Sequence, residues 1–414
     1  MTHAGEPNPP VQSFADAKIL IYSHDTFGLG HLRRCREIAH ALVAAYGGIS
    51  VLIISGATIA GAFEYRSRVD FVKIPSVIKL RNGEYTSLAE HIPLADTLAM
   101  RETIIRNTAE SFAPDIFIVD KEPLGLRGEI EGTLAMLKAR GTRLVLGLRE
   151  VMDSPRLLAA EWAGTGKLEK MQRYYDTLWV YGPKGFNEPL KKMDAPPELL
   201  SRMRYTGFLR RSARPAGQAG SSADGRGGYI LVTTGGGGDG EELTRQVLAA
   251  YQTAAPPQHR AIITLGPYLP ARAREEIKAI AEGIPAVELL DFDNRLEDLI
   301  AGAAAVVGMA GYNTFCEILS FDKPALLVPR TQPREEQLIR AQRASALGLA
   351  RMLLPEQAND AEVLAEMLRD LPGQAPPSAS GTMTAGLGGL DTIVSDVGGW
   401  LNERHSRARS GTDG

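Results

Sequence analysis

Cysteine is almost missing from this chain. Its two residues, Cys35 and Cys316, lie in different halves of 414 residues, in segments with helical periodicity. That excludes a disulfide framework and argues against a thiolate metal site. Long hydrophobic runs are missing too: none approaches the roughly 18 residues needed to span a bilayer. No sign of charge dominates, since 46 Lys and Arg face 49 Asp and Glu for a net charge of −3. The basic footprint of a dedicated nucleic-acid binder is therefore absent. The opening "MTHAGEPNPPVQSFADAK" has no basic stretch followed by an apolar one, so no signal peptide is expected. The expectation is a cytoplasmic protein, with peripheral contact at the inner face of the membrane left open.

Glycine, by contrast, is plentiful, with 43 residues, as suits a chain with many tight strand-to-helix turns. The length suits two domains. Short Val/Ile/Leu runs such as "AKILIYSH", "ISVLIISG", "PDIFIVD" and "TRLVLGLRE" alternate with amphipathic segments such as "HLRRCREIAHALVAAY". Near-continuous apolar strands between helices imply a parallel sheet covered on both faces, hence an α/β fold. The stretch 210–228, "RRSARPAGQAGSSADGRGG", has no apolar period and reads as a linker, after which the alternation restarts. The expected order is a disordered segment over 1–17, a Rossmann-like domain over 18–209, the linker, a second Rossmann-like domain over 229–375, and a C-terminal segment over 376–414. "GLDTIVSDVGGWLNERHSRARS" reads as the last helix, crossing back to the first domain, with a disordered tail after about Ser406.

Each domain opens on a strand that runs into a glycine turn. In the first, "SHDTFGLGH" places Gly28 and Gly30 before His31, and Arg33 stands where a dinucleotide fingerprint would place a third glycine. In the second, "TTGGGGDGEEL" sets Gly235, Gly236, Gly237 and Gly238 between strand and helix. Such a loop can wrap backbone N–H groups around an anion, with the helix end adding partial positive charge. No Gly-Lys-Ser/Thr follows, so it is not a Walker loop. Taken alone, a sterically required turn is an equally good account, with Asp239 and Glu241 as helix caps.

"VVGMAGYNTFCEILSFD" follows, in which Gly311 leads into a helix carrying Asn313, Thr314 and Glu317. Glu317, one turn in, suits a pair of ribose hydroxyls; a Thr314–Glu317 capping box is the plainer alternative. "PRTQPREEQLIRAQ" then places Glu336 and Gln337 at a helix start, where they either complement the helix dipole or bond sugar hydroxyls.

A phosphate loop, a ribose-facing Glu and a carboxylate/amide pair in this order resemble the GT-B glycosyltransferases. The likeness is closest to the MurG-like UDP-GlcNAc transferases, whose C-terminal domain is of the glycosyltransferase family 28 type, and to uncharacterised predicted glycosyltransferases. The matching positions are Gly28, Gly30 and His31 in the first domain, and Gly235–Gly238, Gly311, Glu317, Glu336 and Gln337 in the second. The chain departs from the pattern at Glu336, where the family has Gln, and at Arg340, where it has Asn.

The resemblance implies two Rossmann-like domains facing across a cleft. It implies transfer of a hexose or N-acetylhexosamine from a nucleoside-diphosphate sugar, with uridine favoured, to a hydroxyl of a glycan or lipid-linked acceptor. Inversion, a role in cell-envelope polysaccharide synthesis and a donor set extended to Phe292, Asn313 and Thr314 come with it. The donor is a substrate, and no tightly bound cofactor is implied. No DxD motif or His/Cys cluster with ligand spacing is evident, so no metal is expected.

His31, at a helix N-terminus where a charged imidazole is disfavoured, is the first candidate for the general base, followed by Asp120 and then Asp25. His24 and Glu150 also end strands. Arg33, Arg34 and Arg36 read as a solvated helix face, with contact of Arg33 or Arg34 to an anionic acceptor as the alternative. A UDP-sugar epimerase or hydrolase on the same fold, and a non-catalytic nucleotide-sugar-binding protein, are the alternatives. No nucleic-acid partner is expected. The apolar and basic "IPSVIKLRNGEY" suggests either a surface meeting a lipid-linked or anionic glycan, or a loop covering the sheet.

Overall fold

The computed structural model describes residues 12–24, 30–79, 84–89, 91–212, 228–235, 238–291, 296–381 and 386–410. Over these the chain forms two parallel sheets flanked by helices. The first sheet uses β1 (Lys18–Ser23), β2 (Ser50–Ser55), β3 (Val69–Lys73), β4 (Ile116–Asp120), β5 (Arg143–Arg149), β6 (Thr177–Tyr181) and β7 (Met203–Tyr205). Their spatial order is β7-β6-β5-β4-β1-β2-β3. Burial on both faces explains why the strands lack polar/apolar alternation: Ile19, Leu20, Ile21 and Tyr22 are all fully buried.

The chain leaves β1 toward one side of the sheet and reaches β4 on the other. The topological switch therefore falls between β1 and β4, where open α/β sheets bind ligands beyond the strand ends. The helix α1 (Gly30–Ala45) follows β1 directly and buries Leu32, Arg34, Cys35, Ile38, Ala39, Leu42 and Val43, a helical spacing. The helix α2 (Leu94–Phe112) begins just after Pro93, which occupies its N-cap.

The second sheet uses β8 (Ile230–Thr233), β9 (Ala261–Thr264), β10 (Val287–Leu290), β11 (Ala305–Gly308), β12 (Ala325–Leu327) and β13 (Arg351–Met352), ordered β10-β9-β8-β11-β12-β13. Its switch lies between β8 and β11, which pair in register from Ile230–Ala305 to Thr233–Gly308. The glycine loop leaves β8 there, ahead of α3 (Glu241–Tyr251), and the Gly308–Gly311 turn leaves β11 ahead of α4 (Tyr312–Ser320). The helix α5 (Glu336–Ala346) follows β12.

The last helix, α6 (Gly389–Ser410), lies on the first domain. Trp400 stacks on the buried Trp179 at 5.5 Å, and the Trp179 indole donates to Asp396 at 2.8 Å. Three local expectations are corrected. Residues 12–17 are ordered: Gln12–Ser13 pairs with Tyr46–Gly47, and Phe14 is buried against Tyr46 and His405. The last helix continues past Ser406. Arg211, inside the stretch read as a linker, is buried and donates to Ser320 and Asn313. The segment around Ile78 is an antiparallel pair, Val77–Lys79 with Tyr85–Ser87; Leu80 is outside the described residues. No helix among the described residues is long and apolar enough to cross a membrane.

Candidate active site

At the switch point of the first sheet, β4 ends in Asp120 and α1 begins with Gly30 and His31. The His31 Nδ1 lies 2.5 Å from Asp120 Oδ2. Asp120 also takes a two-pronged bond from Arg34, Nε to Oδ1 at 2.8 Å and Nη2 to Oδ2 at 2.6 Å. Burial works to raise the Asp120 carboxyl, but Arg34 and His31 outweigh it and hold the group below the usual carboxylate range. An ionised Asp120 can only accept, so Nδ1 carries the proton. The Arg34 Nη2, 3.1 Å from the same Nδ1, is the longer contact and cannot donate to a protonated nitrogen. The Nε2 lone pair is left as the basic atom. Burial pushes the imidazole down to about 4, with Arg34 and Lys121 adding to it and Asp120 opposing. Neutral His31 thus follows chiefly from desolvation.

The arginines of α1 are not a solvated face. Arg34 is 2% exposed and lies over the rings of Tyr181 and Tyr312. Arg33 crosses to the second domain, donating to Glu297 at 2.7 Å and Glu317 at 2.5 Å. His24, buried at the end of β1, has an Nδ1 with no partner and an imidazole that burial holds well below its usual pKa. Glu150 is fully buried against Arg340 at 2.6 Å.

In the second domain, Gly235 adopts φ +71°, a conformation that strains any other residue, and no atom lies within 4 Å of where its Cβ would stand. Gly240 caps α3, and no side chain does. Asp239 is therefore not a cap; it pairs with Arg330 at 2.8 Å. Gly311 is the N-cap of α4, so Thr314 and Glu317 form no capping box. The space beside Gly311 is also open for 4 Å. Asn313 donates to the Gly30 carbonyl at 3.0 Å, and Thr314 is buried beneath Gly308. Glu317 is fully buried; burial raises its carboxyl, against the pull of Arg33. Arg330 donates its side chain to Glu336 at 2.6 Å and its backbone N–H to the Gln337 side chain at 3.0 Å.

One oxygen each of Glu317 and Glu336 is buried without a hydrogen-bond partner. A buried carboxylate oxygen without a donor is costly, and a ligand hydroxyl relieves it. Gly28, Gly236, Gly237, Phe292 and Asp25 lie outside the described residues. Among the described residues no group of three or more His, Cys, Asp or Glu could hold a metal ion.

Sequence reasoning favoured a solvated face for Arg34 and did not single out Lys121, whose charge acts on His31, or Arg149, which Arg34 repels. Only the spacing of Arg34 from His31, three residues along one helix, signalled the first. Lys121 carries φ +69°, uncommon for a side chain of its size, immediately after Asp120.

Residues 230–384 match the glycosyltransferase family 28 C-terminal domain. No curated protein matches the chain by sequence. Among solved structures, the chain is similar to CalG4, the calicheamicin glycosyltransferase, with 16% identity and a TM-score of 0.59 over 94% of this chain and 99% of that one. It is similar to Phytolacca americana UGT2, complexed with UDP-2-fluoro-glucose and pterostilbene, with 15% identity and a TM-score of 0.63 over 93% and 100%. A putative UDP-N-acetylglucosamine 2-epimerase from Listeria monocytogenes is similar at 11% identity, TM-score 0.60, over 95% and 98%. The fold is GT-B, and the family match falls within the second domain.

Proposed function

We propose that this GT-B glycosyltransferase moves a hexose or N-acetylhexosamine from a UDP-linked donor to a hydroxyl of a glycan or lipid-linked acceptor, with inversion and without a required metal. The observation that carries the reading is the His31–Asp120 pair at the switch point of the first sheet. Asp120 fixes the tautomer, so Nε2 accepts the acceptor's proton as its oxygen attacks the anomeric carbon. The bond from that carbon to the diphosphate breaks, and the nucleoside diphosphate leaves. Backbone N–H groups beside Gly235 and the N-terminal end of α4 stabilise its charge.

The unpartnered oxygen of Glu317 suits a ribose hydroxyl, and that of Glu336 a sugar hydroxyl. Asn313 and Thr314 stand at the phosphate end of α4, and Gln337 stands beside Glu336. The complex named for the Phytolacca protein supports a UDP-sugar as donor. A cytoplasmic setting and a role in envelope polysaccharide synthesis fit this reading.

A thermal-shift panel of the full chain against UDP, GDP, TDP and NAD tests it. UDP at a hundred times its Kd should stabilise by about 2.7 kcal/mol. Glu317→Gln, which keeps shape but accepts less strongly, should cut that shift. Stabilisation by none of the nucleotides would sink the donor assignment. Release of UDP with free or epimerised sugar, and no transfer to any glycan or lipid-linked alcohol, would replace transfer with hydrolysis or epimerisation.

A further inference from the structure

Cations around this site have carboxylate partners: Arg33 has Glu297 and Glu317, Arg34 has Asp120, Arg340 has Glu150, and Arg330 has Glu336 and Asp239. Two cations break the pattern. Among the described residues neither Lys121 Nζ nor the Arg149 guanidinium has a hydrogen-bond or ion-pair partner, and the Arg149 Nε is buried. They stand on neighbouring strands. Asp120 pairs with Gly147, and the Lys121 backbone N–H donates to the Gly147 carbonyl at 2.7 Å; Arg149 ends the same strand two residues later.

We propose that Lys121 and Arg149 form an anion subsite beside the transfer centre, and that the substrate reaching His31 carries a carboxylate or phosphate there. The inference rests on the glycosyl-transfer reading of the same cleft. Two like charges acting on each other at a half-buried strand edge repel and lose hydration in part, and an incoming anion relieves both costs. Burial, Arg149 and Arg334 depress the Lys121 ammonium to about 8. The nearby carboxylates offset this charge in part, but none hydrogen-bonds either cation. Glu122 is paired with Lys167 at 2.7 Å, Asp153 and Glu161 with Arg334, and Glu150 with Arg340. Glu336 is the strongest opposing charge on Arg149, yet one of its oxygens is on Arg330 and the other hydrogen-bonds no cation. Lys121 follows Asp120 and its charge acts on His31, so an anion on it lies close to the base.

The anion has two possible carriers, the acceptor or the donor sugar, and calorimetric titration of the full chain separates them. Inorganic phosphate is titrated into protein saturated with UDP, and UDP-glucuronate is compared with UDP-glucose. Both are repeated in Lys121→Gln and Arg149→Gln, with UDP affinity and melting temperature as controls. Phosphate binding to the UDP complex that weakens about tenfold or more in both variants, at unchanged UDP affinity, supports an acceptor-borne anion. A UDP-glucuronate preference that collapses in both variants supports a donor-borne carboxylate. A fall in UDP affinity in the variants overturns the proposal, because the cations then serve the donor diphosphate. Unchanged binding of every ligand also overturns it. Failure of the unaltered chain to bind UDP would instead strike at the transfer reading, which keeps the two claims separable.

Discussion

Asp120 is 1% exposed and carries two cationic or proton-bearing partners at once, so its charge is fixed by Arg34 while its second task is to hold His31. Because the imidazole is held at about 4, the base form persists across the physiological range. The acid limb of the rate profile should therefore fall near pH 4, with activity rising as pH increases through it. Asp120→Asn removes the charge that opposes the depression and leaves Arg34 uncompensated, so that limb should move lower still while kcat drops. His31→Ala should cost about a hundredfold to ten-thousandfold in kcat with little change in donor affinity. An unaltered kcat would remove His31 as the base. The same depressed group affects stability. Between pH 6.5 and 4 the unfolded chain binds a proton that native His31 refuses, so stability is full above 6.5 and declines as pH falls toward 4. The loss is about 3 kcal/mol for this group. Melting His31→Gln beside the unaltered chain across that window isolates it.

At the level of elements, the two glycine turns differ in what they require of glycine. Gly235 needs its left-handed backbone, so Gly235→Ala should destabilise by about 1–2 kcal/mol with or without ligand. Gly311 has φ −60° and open space around it, so Gly311→Ala should leave the melting temperature nearly unchanged. On the donor reading that open space is occupied in the complex, so the same change should raise the donor KM. Equal donor KM values for Gly311→Ala and the unaltered chain would place the donor elsewhere. The strands and helices around these turns were legible in the sequence because fully buried parallel strands are short apolar runs and their helices keep a 3.6-residue stripe. The pairing of charges was not. Arg34 meets Asp120 across 86 residues because β1 and β4 are neighbours, and that adjacency is a property of strand order. The run Arg33, Arg34, Arg36 looks like a solvated face until Asp120 and Glu317 are set opposite it. Arg211 was hidden in a polar, low-complexity stretch for the same reason. Gly235 and Gly311 were legible as turn residues, because a glycine cluster between a strand and a helix marks a turn.

Across the whole molecule, the domains share a buried aromatic cluster, Tyr181, Phe186 and Phe208 against Tyr312 and Phe315, and polar side chains cross beside it. Asn313 reaches the Gly30 carbonyl, Arg334 reaches Asp153, and Arg343 donates to the Phe186 and Gly185 carbonyls. The Arg340–Glu150 pair lies at the centre of this set. Both side chains are fully buried, and Arg340 also donates to the carbonyls of Ala310 and Val151. Ala310 has φ 62°, so Arg340 clamps the strained turn that starts α4 while it holds the end of β5. Breaking a buried pair from one side leaves an uncompensated charge, at about 3–5 kcal/mol, whereas removing both charges together costs far less. Arg340→Met should therefore destabilise strongly, and Arg340→Met with Glu150→Gln should recover much of the loss. If the pair also sets the spacing of the two domains, the double variant should fold well yet bind UDP normally and transfer slowly, since the proposed donor residues lie in one domain and His31 in the other. A double-mutant cycle read by both melting temperature and kcat distinguishes the outcomes. Full recovery of stability and rate would make the pair a replaceable filler of the interface. Recovered stability with kcat still depressed would make it the part that brings base and donor into register.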